Sequence, residues 1–224
     1  ITYPAILKTA RLGYDGKGQR RVADASEMRA SWHSLGSVPC VLEQALDLRT
    51  EVSAVVARTA HGGFAAYPIV ENAHVDGILD LTVVPARVPV QIADRATGLA
   101  LAIADALAYV GVLAIEFFLV RTGSDDHLFI NELAPRPHNS GHWTLDVSQT
   151  SQFEQQIRAV CGLALGDVSM TRPAAAMVNL LGDRWEHGEP RWEHALGHPH
   201  AALHLYGKAA ARPGRKMGHL TTWA

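Results

Sequence analysis

The chain lacks most of the features that mark a specialised protein. It has two cysteines in 224 residues, Cys40 and Cys161, too far apart for any metal-binding spacing. A disulfide scaffold and a zinc finger are therefore both excluded. Each lies beside apolar residues, Val41-Leu42 and Ala159-Val160, and is expected to be a buried, reduced thiol of a cytoplasmic protein. Charge of either sign is not in excess: 20 Lys and Arg against 22 Asp and Glu leave a net −2, with a pI near 6.7. No global field draws this chain to nucleic acid or to a membrane surface. No apolar run reaches the ~20 residues of a membrane span, no signal peptide is expected before Ile1, and no repeat or low-complexity tract occurs. Hydrophobic residues still make up 48%, enough for a sizeable core in one or two domains.

Short strands alternate with a few helices. Residues 5–8 read as a strand, residues 13–19 as a glycine-rich turn, and residues 20–22 as the return of a hairpin. Residues 25–35 read as a helix with Asp24 or Ser26 as N-cap. Strands are expected at residues 39–43, at 51–58 as a half-buried strand, and at 64–70 after a His61-Gly62-Gly63 turn. The clearest helix covers residues 90–107, with Ile92, Ala96, Leu99, Ile103 and Leu107 on its apolar face. A second hairpin joins residues 111–120 to 127–132 through a turn at Asp125-Asp126; a helix follows at 151–163. Residues 177–182 and 202–206 read as strands of a small C-terminal module, around a polar segment, 183–199; His187, His194, His198 and His200, in or beside that segment, read as solvated. The fold class is α+β, mixed α/β. Ile1 is not an initiator Met and residues 3–8 read as a strand already inside a domain, so a piece of a longer protein is expected.

Four groups of residues carry chemistry. Lys8 with Gly13, Gly16 and Gly18, and Lys17 between them, resembles a phosphate cradle in composition. It is neither a Walker loop nor a dinucleotide fingerprint, so a plain hairpin turn remains open. Glu116 and Glu132 fall on strands that should pair; facing carboxylates repel unless a cation lies between them, and Mg²⁺ takes such oxygen ligands. The apolar flanks Ile115, Phe117, Ile130 and Leu133 argue against two exposed acids. Asn131 joins the set only if its strand is irregular. After that strand come Arg136, His138, Asn139, Ser140 and His142 among two prolines: a guanidinium, imidazoles and a hydroxyl suited to phosphate or carboxylate, or to capping their own loop. Last, residues 208–219 hold five basic or imidazole side chains around Pro213-Gly214, a solvated loop, a phosphate lid or an RNA contact. Glu43 and Glu51 at strand ends can take a ribose, or are ordinary surface acids.

In this order the motifs resemble the ATP-grasp enzymes, and within them the 5-(carboxyamino)imidazole ribonucleotide synthases of purine biosynthesis. Besides Lys8 and the loop Gly13-Tyr14-Asp15-Gly16-Lys17-Gly18-Gln19, the match is carried by Tyr67-Pro68, Glu71-Asn72, His74, Asp76-Gly77-Ile78-Leu79, Gly111-Val112, Glu116, residues 131–144, Ser151-Gln152-Phe153-Glu154 and residues 212–219. The resemblance implies an ATP-grasp fold over residues 1–166, N-terminally incomplete, and a small β-rich C-terminal module over 167–224, truncated. The family's N-terminal Rossmann-like domain has no counterpart in the chain. It implies an ATP-dependent carbon–nitrogen ligase that carboxylates 5-aminoimidazole ribonucleotide with bicarbonate through carboxyphosphate. ATP would be held by Lys8, Gly13, Tyr14, Asp15, Gly16, Lys17, Gly18, Gln19, Glu43, Gln44, Ala45, Leu46, Glu51, His74, Asn131 and Glu132, and two Mg²⁺ ions by Glu116 and Glu132. Tyr14, Asp15, Arg136, His138, Asn139, Ser140, Lys208 and Arg215 would form the ribonucleotide pocket, with Arg136, His138 and Lys208 catalytic. The family implies a homodimer acting on small molecules. Another ATP-grasp carboxylase or ligase, or a non-catalytic nucleotide-binding module, are the competing readings.

Overall fold

A computed structural model describes residues 2–13, 16–123 and 125–224. Twelve strands are found among them: β1 (Ala5–Thr9), β2 (Gln19–Val22), β3 (Cys40–Gln44), β4 (Leu48–Arg58), β5 (Phe64–Ala66), β6 (Val70–Val75), β7 (Ile78–Val84), β8 (Gly111–Thr122), β9 (Asp125–Ala134), β10 (Ala175–Leu181), β11 (Ala201–Leu205) and β12 (Lys216–Trp223). The helices are α1 (Met28–Ser34), α2 (Val90–Ala106), α3 (Thr144–Val147), α4 (Gln152–Val160) and α5 (Glu193–Leu196). None among the described residues is long and apolar enough to cross a membrane. The chain forms two compact units, Ile1–Leu48 with His74–Ile78, and Arg49–Ala73 with Leu79–Ala224.

The first unit is built on an antiparallel sheet of order β2-β1-β3. Ala5 and Leu7 of β1 and Val22 of β2 are buried, the period-2 face of a half-solvated sheet. The glycines after β1 have a steric reason. Gly16 and Gly18 take φ of 73° and 76°, and a Cβ on Gly16 would stand 3.0 Å from Asp76 O. Asp76-Gly77 is itself the two-residue turn between β6 and β7, with φ of 51° and 76°, both in the left-handed region that a type I′ hairpin turn requires. Helix α1 is shorter than the expected 25–35. Asp24 does not cap it: its Oδ1 accepts from Ser26 N at 2.7 Å and Ser26 Oγ at 2.5 Å, a local turn that competes with helix. The N-cap is Glu27, without a capping side chain.

The second unit holds the larger sheet, ordered β11-β12-β10-β7-β6-β4-β8-β9 with β5 on β4. Strands β4 and β8 are not half-buried: residues 52–57 and 111–117 are buried without interruption. Alternation still operates, but between two cores rather than between core and water. Val52, Ala54 and Val56 join Leu113, Ile115 and Phe117 in one cluster; Val55 and Ala57 join Val112 and Ala114 in the other. The first is covered by α2 through Ala96, Ala100 and Ala104. This i, i+4 stripe of alanines lets the helix approach closely, so the larger Leu99 and Ile103 flank it and Leu107 is exposed. The second is covered by Trp143 and Val147. Glu116, even-numbered like Val112 and Ala114, lies by parity on the Trp143 side.

Strand β9 begins earlier than expected. Asp125 and Asp126 are not turn residues; they pair with Thr122 and Arg121. Asp126 accepts from Arg49 at 2.5 Å and Arg121 at 3.1 Å, which holds its carboxyl below the usual range, Arg121 foremost. Neither cysteine is buried: Cys40 is half-buried and Cys161 exposed. Val160, the apolar neighbour of Cys161, is itself 51% exposed, so adjacency in sequence did not mean burial. At the C-terminus β12 was not foreseen. Residues 216–219, read as loop, are its first half, and Met217, Gly218 and His219 are buried between β10 and β11.

The loop from β9 to α4 is fixed by one side chain. Gln152, fully buried at the start of α4, accepts from His138 N at 2.9 Å and donates to His138 O at 2.7 Å and His142 Nδ1 at 3.0 Å. Its own N–H donates to Thr144 Oγ1 at 3.0 Å. Ser151 caps α4 by accepting from Glu154 N at 3.2 Å. Gly141 must be glycine, because a Cβ there would stand 2.6 Å from Gln152 Oε1.

Two outcomes follow from this framework. Gln152→Leu leaves both peptide groups of His138 without partners and is expected to cost on the order of 3 kcal/mol in urea unfolding; a loss below about 1 kcal/mol would show that the loop satisfies itself otherwise. Asp126→Asn lowers the urea midpoint at neutral pH. A depressed carboxylate contributes fully above its unfolded pKa of about 4 and loses that contribution as pH falls from there through its folded value. The variant and the parent chain should therefore converge in acid, and an equal gap at pH 7 and pH 2.5 is the result that rejects the role.

Candidate functional site

Glu116 and Glu132 face each other across β8 and β9. The ladder is irregular at that point: Glu116 opposes Glu132, but Phe117 opposes Ile130, so Asn131 is an extra residue in a β-bulge. The bulge changes the parity of β9. It allows Leu128, opposite Leu119, to pack into the core under α2 while Glu132 keeps to the face of Glu116. The strict alternation that would turn Asn131 away from the acids is suspended. The expectation that both acids are shielded holds for one: Glu116 is 8% exposed, while Glu132 is exposed, as are Ile130 at 47% and Leu133 at 41%.

His138 completes the pair. Its Nε2 lies 3.8 Å from Glu116 Oε1, and one ligand-type atom each of Glu116, Glu132 and His138 lie within 4.8 Å of one another. The ring is held by Nδ1 against Ser140 Oγ at 2.9 Å, and its peptide group by Gln152. Two carboxylates at one point suit a hard divalent cation such as Mg²⁺. The sequence places His138 among the catalytic and substrate-binding residues, not with the metal acids, and gives Gln152 no role; a buried amide at a helix start, after a Pro-rich loop, was the available signal.

The other loop residues divide by burial. Ser140 is buried and His138 nearly so, Asn139 is half-buried, and Arg136 is exposed with Nη1 donating to Pro137 O at 3.1 Å. His142 is half-buried; burial foremost, with His138 next, lowers it to about 4. It is therefore neutral and able to accept the Gln152 amide. Lys208 and Arg215 border a loop that is tied down. Lys208 Nζ donates to Lys216 O, Arg215 Nη1 to Ala210 O at 2.8 Å, and Gly214 N to Asp183 Oδ2 at 2.9 Å. Burial first, then Arg215 and Lys216, lower the Lys208 ammonium.

In the first unit, Lys8 is opposite Gln19 on β2 and Val41 on β3. Its Nζ pairs with Glu43 Oε2 at 2.5 Å, both side chains partly exposed. Gly13, Gly16 and Lys17 are exposed in the neighbouring turn, as is Gln19 at the start of β2. Ala45 N donates to Pro4 O at 3.0 Å, so that amide is committed within the sheet; Gln44 ends β3 and Leu46 follows, half-buried. His74 is half-buried on β6. In the second unit Glu51 is opposite Asn72. Tyr14 and Asp15 lie outside the described residues.

Comparison with known proteins gives family matches over most of the chain. The family model described as ATP-grasp domain matches residues 1–153, and that of the phosphoribosylaminoimidazole carboxylase C-terminal domain matches residues 175–224. The N5-carboxyaminoimidazole ribonucleotide synthase of Bacillus subtilis (strain 168) is 47% identical over 99% of this chain and 56% of its own length. Among solved structures, the N5-carboxyaminoimidazole ribonucleotide synthetase of Thermus thermophilus superposes with a TM-score of 0.87 at 42% identity, over 100% of this chain and 57% of the other. The Aspergillus clavatus N5-carboxyaminoimidazole synthase, in complex with ADP and 5-aminoimidazole ribonucleotide, gives a TM-score of 0.83 at 32% identity, over 99% and 58%. The chain thus spans about half the length of the curated relatives it matches. It belongs to the ATP-grasp family.

Proposed function

We propose that this chain supplies the ATP-dependent machinery of a carbon–nitrogen ligase, which carboxylates the exocyclic amine of 5-aminoimidazole ribonucleotide in purine biosynthesis. The observation that carries it is the Glu116, Glu132 and His138 cluster, set beside a loop of anion-binding residues in an ATP-grasp chain. We propose the division as 1–166 for the ATP-grasp part and 167–224 for the C-terminal module. Action in the cytoplasm, as a homodimer of the full-length protein, belongs to the same reading.

A bicarbonate oxygen attacks the γ-phosphorus of ATP, and ADP leaves with the bond pair. The amine then attacks the carbon of carboxyphosphate and phosphate departs. Little of this needs a protein nucleophile; it needs alignment and charge neutralisation. Glu116 and Glu132 would hold Mg²⁺, two ions in this reading, which when bound neutralise the phosphates. Lys8, Glu43, Glu51, His74, Asn131, the backbone of residues 44–46 and the glycine loop residues Gly13 to Gln19 hold the nucleotide. Arg136 orients bicarbonate, and His138, held by Ser140 and Gln152, presents a fixed imidazole to it. Asn139, Ser140, Lys208, Arg215, Tyr14 and Asp15 bind the ribonucleotide, its phosphate paired with the two cations.

In the full-length parent, ADP release should require both 5-aminoimidazole ribonucleotide and bicarbonate, and Glu132→Gln should abolish it while far-UV circular dichroism is retained. Steady turnover without bicarbonate, or an active Glu132→Gln, overturns the reading. Lys8 separates ligand binding from stability. Its exposed ion pair contributes less than about 1 kcal/mol, so Lys8→Met should leave the urea midpoint nearly unchanged while weakening ATP binding at least tenfold by calorimetry; unchanged affinity removes Lys8 from the site.

A further inference from the structure

A second cluster of donors lies in the β11–β12 region. His204 and His219 are direct cross-strand partners on β11 and β12, their rings stacked 4.5 Å apart. Asp146, on the short helix α3, brings Oδ1 to 2.9 Å from His204 Nε2. One ligand-type atom from each of Asp146, His204 and His219 lie within 4.8 Å of one another.

Two buried atoms of this cluster have no hydrogen-bond partner: His219 Nε2 and Asp146 Oδ2. His219 is only 1% exposed, and a buried polar atom left without a partner costs roughly 1–3 kcal/mol. Such atoms call for a physical reason. The other nitrogen of His219 is occupied, Nδ1 lying 2.9 Å from Tyr206 Oη. With Nδ1–H donating to that hydroxyl, Nε2 carries a lone pair, the arrangement in which an outer partner orients a metal-binding imidazole.

We infer that Asp146, His204 and His219 form a binding site for one divalent transition-metal ion of the zinc class. Two imidazoles and a carboxylate are a borderline donor set, preferred by Zn²⁺ and Co²⁺ over Mg²⁺ or Ca²⁺. It therefore differs in kind from the oxygen-rich pair Glu116 and Glu132. Bonds of about 2.0–2.2 Å place tetrahedral ligand atoms roughly 3.3 Å apart, so binding needs a small closure of the cluster and not a rearrangement of strands. The His204 side chain, 33% exposed, gives an entry path. The ion would tie α3 to β11 and β12, joining the Gln152-held loop to the C-terminal strands.

The test uses the tag-free chain with ZnCl₂ and CoCl₂ as probes. Equilibrium dialysis followed by elemental analysis should give one Zn²⁺ per chain. The Co²⁺-loaded chain should show visible ligand-field bands of tetrahedral intensity. His204→Gln changes a partly exposed side chain, Asp146→Asn keeps the shape of the carboxylate it replaces, and both avoid the buried His219. Each should weaken Zn²⁺ binding at least ~10-fold and abolish the Co²⁺ bands, with circular dichroism unchanged. His198→Gln/His200→Gln removes exposed histidines nearby and should retain both. Stoichiometry well below one, bands that persist in Asp146→Asn and His204→Gln, or binding lost in His198→Gln/His200→Gln overturns the site.

Discussion

The candidate site depends on one amide side chain. Gln152 accepts from the N–H and donates to the carbonyl of His138, reproducing for a loop residue what a neighbouring strand would otherwise supply. The loop carries two prolines, which cannot donate, so its backbone could not be satisfied by a ladder of its own. With His138 held at its peptide and, through Ser140, at its ring, the imidazole has one place to stand, beside Glu116. Trp143 and Val147, packed on the adjoining core, keep that loop against the sheet.

The second constraint is the two-sided burial of β4 and β8. In most small sheets, alternation separates core from solvent. In this one it separates two cores, one under α2 and one under the Trp143 loop. Glu116 is thus a carboxylate inside an apolar strand, tolerable because it lies opposite Glu132 and beside His138, at the end of that core where polar groups stand. A polar bridge within the same sheet works similarly: Asn72 donates to Ser53 Oγ at 2.5 Å and accepts from Thr82 Oγ1 at 2.9 Å, pinning β4, β6 and β7.

Much of this was legible in the residues and some was not. Strong apolar runs announced β1, β4, β8 and α2, and the order of polar groups from Asn131 to His142 announced the site loop. Helix α1 was overestimated because Asp24 and Ser26 bond to each other instead of capping. Strand β7 was missed although Asp76-Gly77 is a hairpin signal, and β12 because its basic start resembled a loop. The burial of the cysteines was misjudged because apolar neighbours can themselves face water. The bulge and the Gln152 contacts join residues whose spacing has no local period, and no pattern along the chain reports them.

The bulge at Asn131 also bears on how this hairpin can change length. Between Leu128, which packs under α2, and Glu132, which faces Glu116, the chain must cross from one face of the sheet to the other. The one-residue bulge makes that crossing: four positions along a regular strand would bring both side chains to the same face. Losing the single extra residue would restore a regular ladder with Leu128 still opposite Leu119 and the carboxylate still opposite Glu116. Gaining a residue that is not taken up as a further bulge would instead turn either the leucine out of the α2 core or the carboxylate away from Glu116. The bulge is thus a reserve of one residue, the step by which this end of the hairpin can shorten without exchanging its faces.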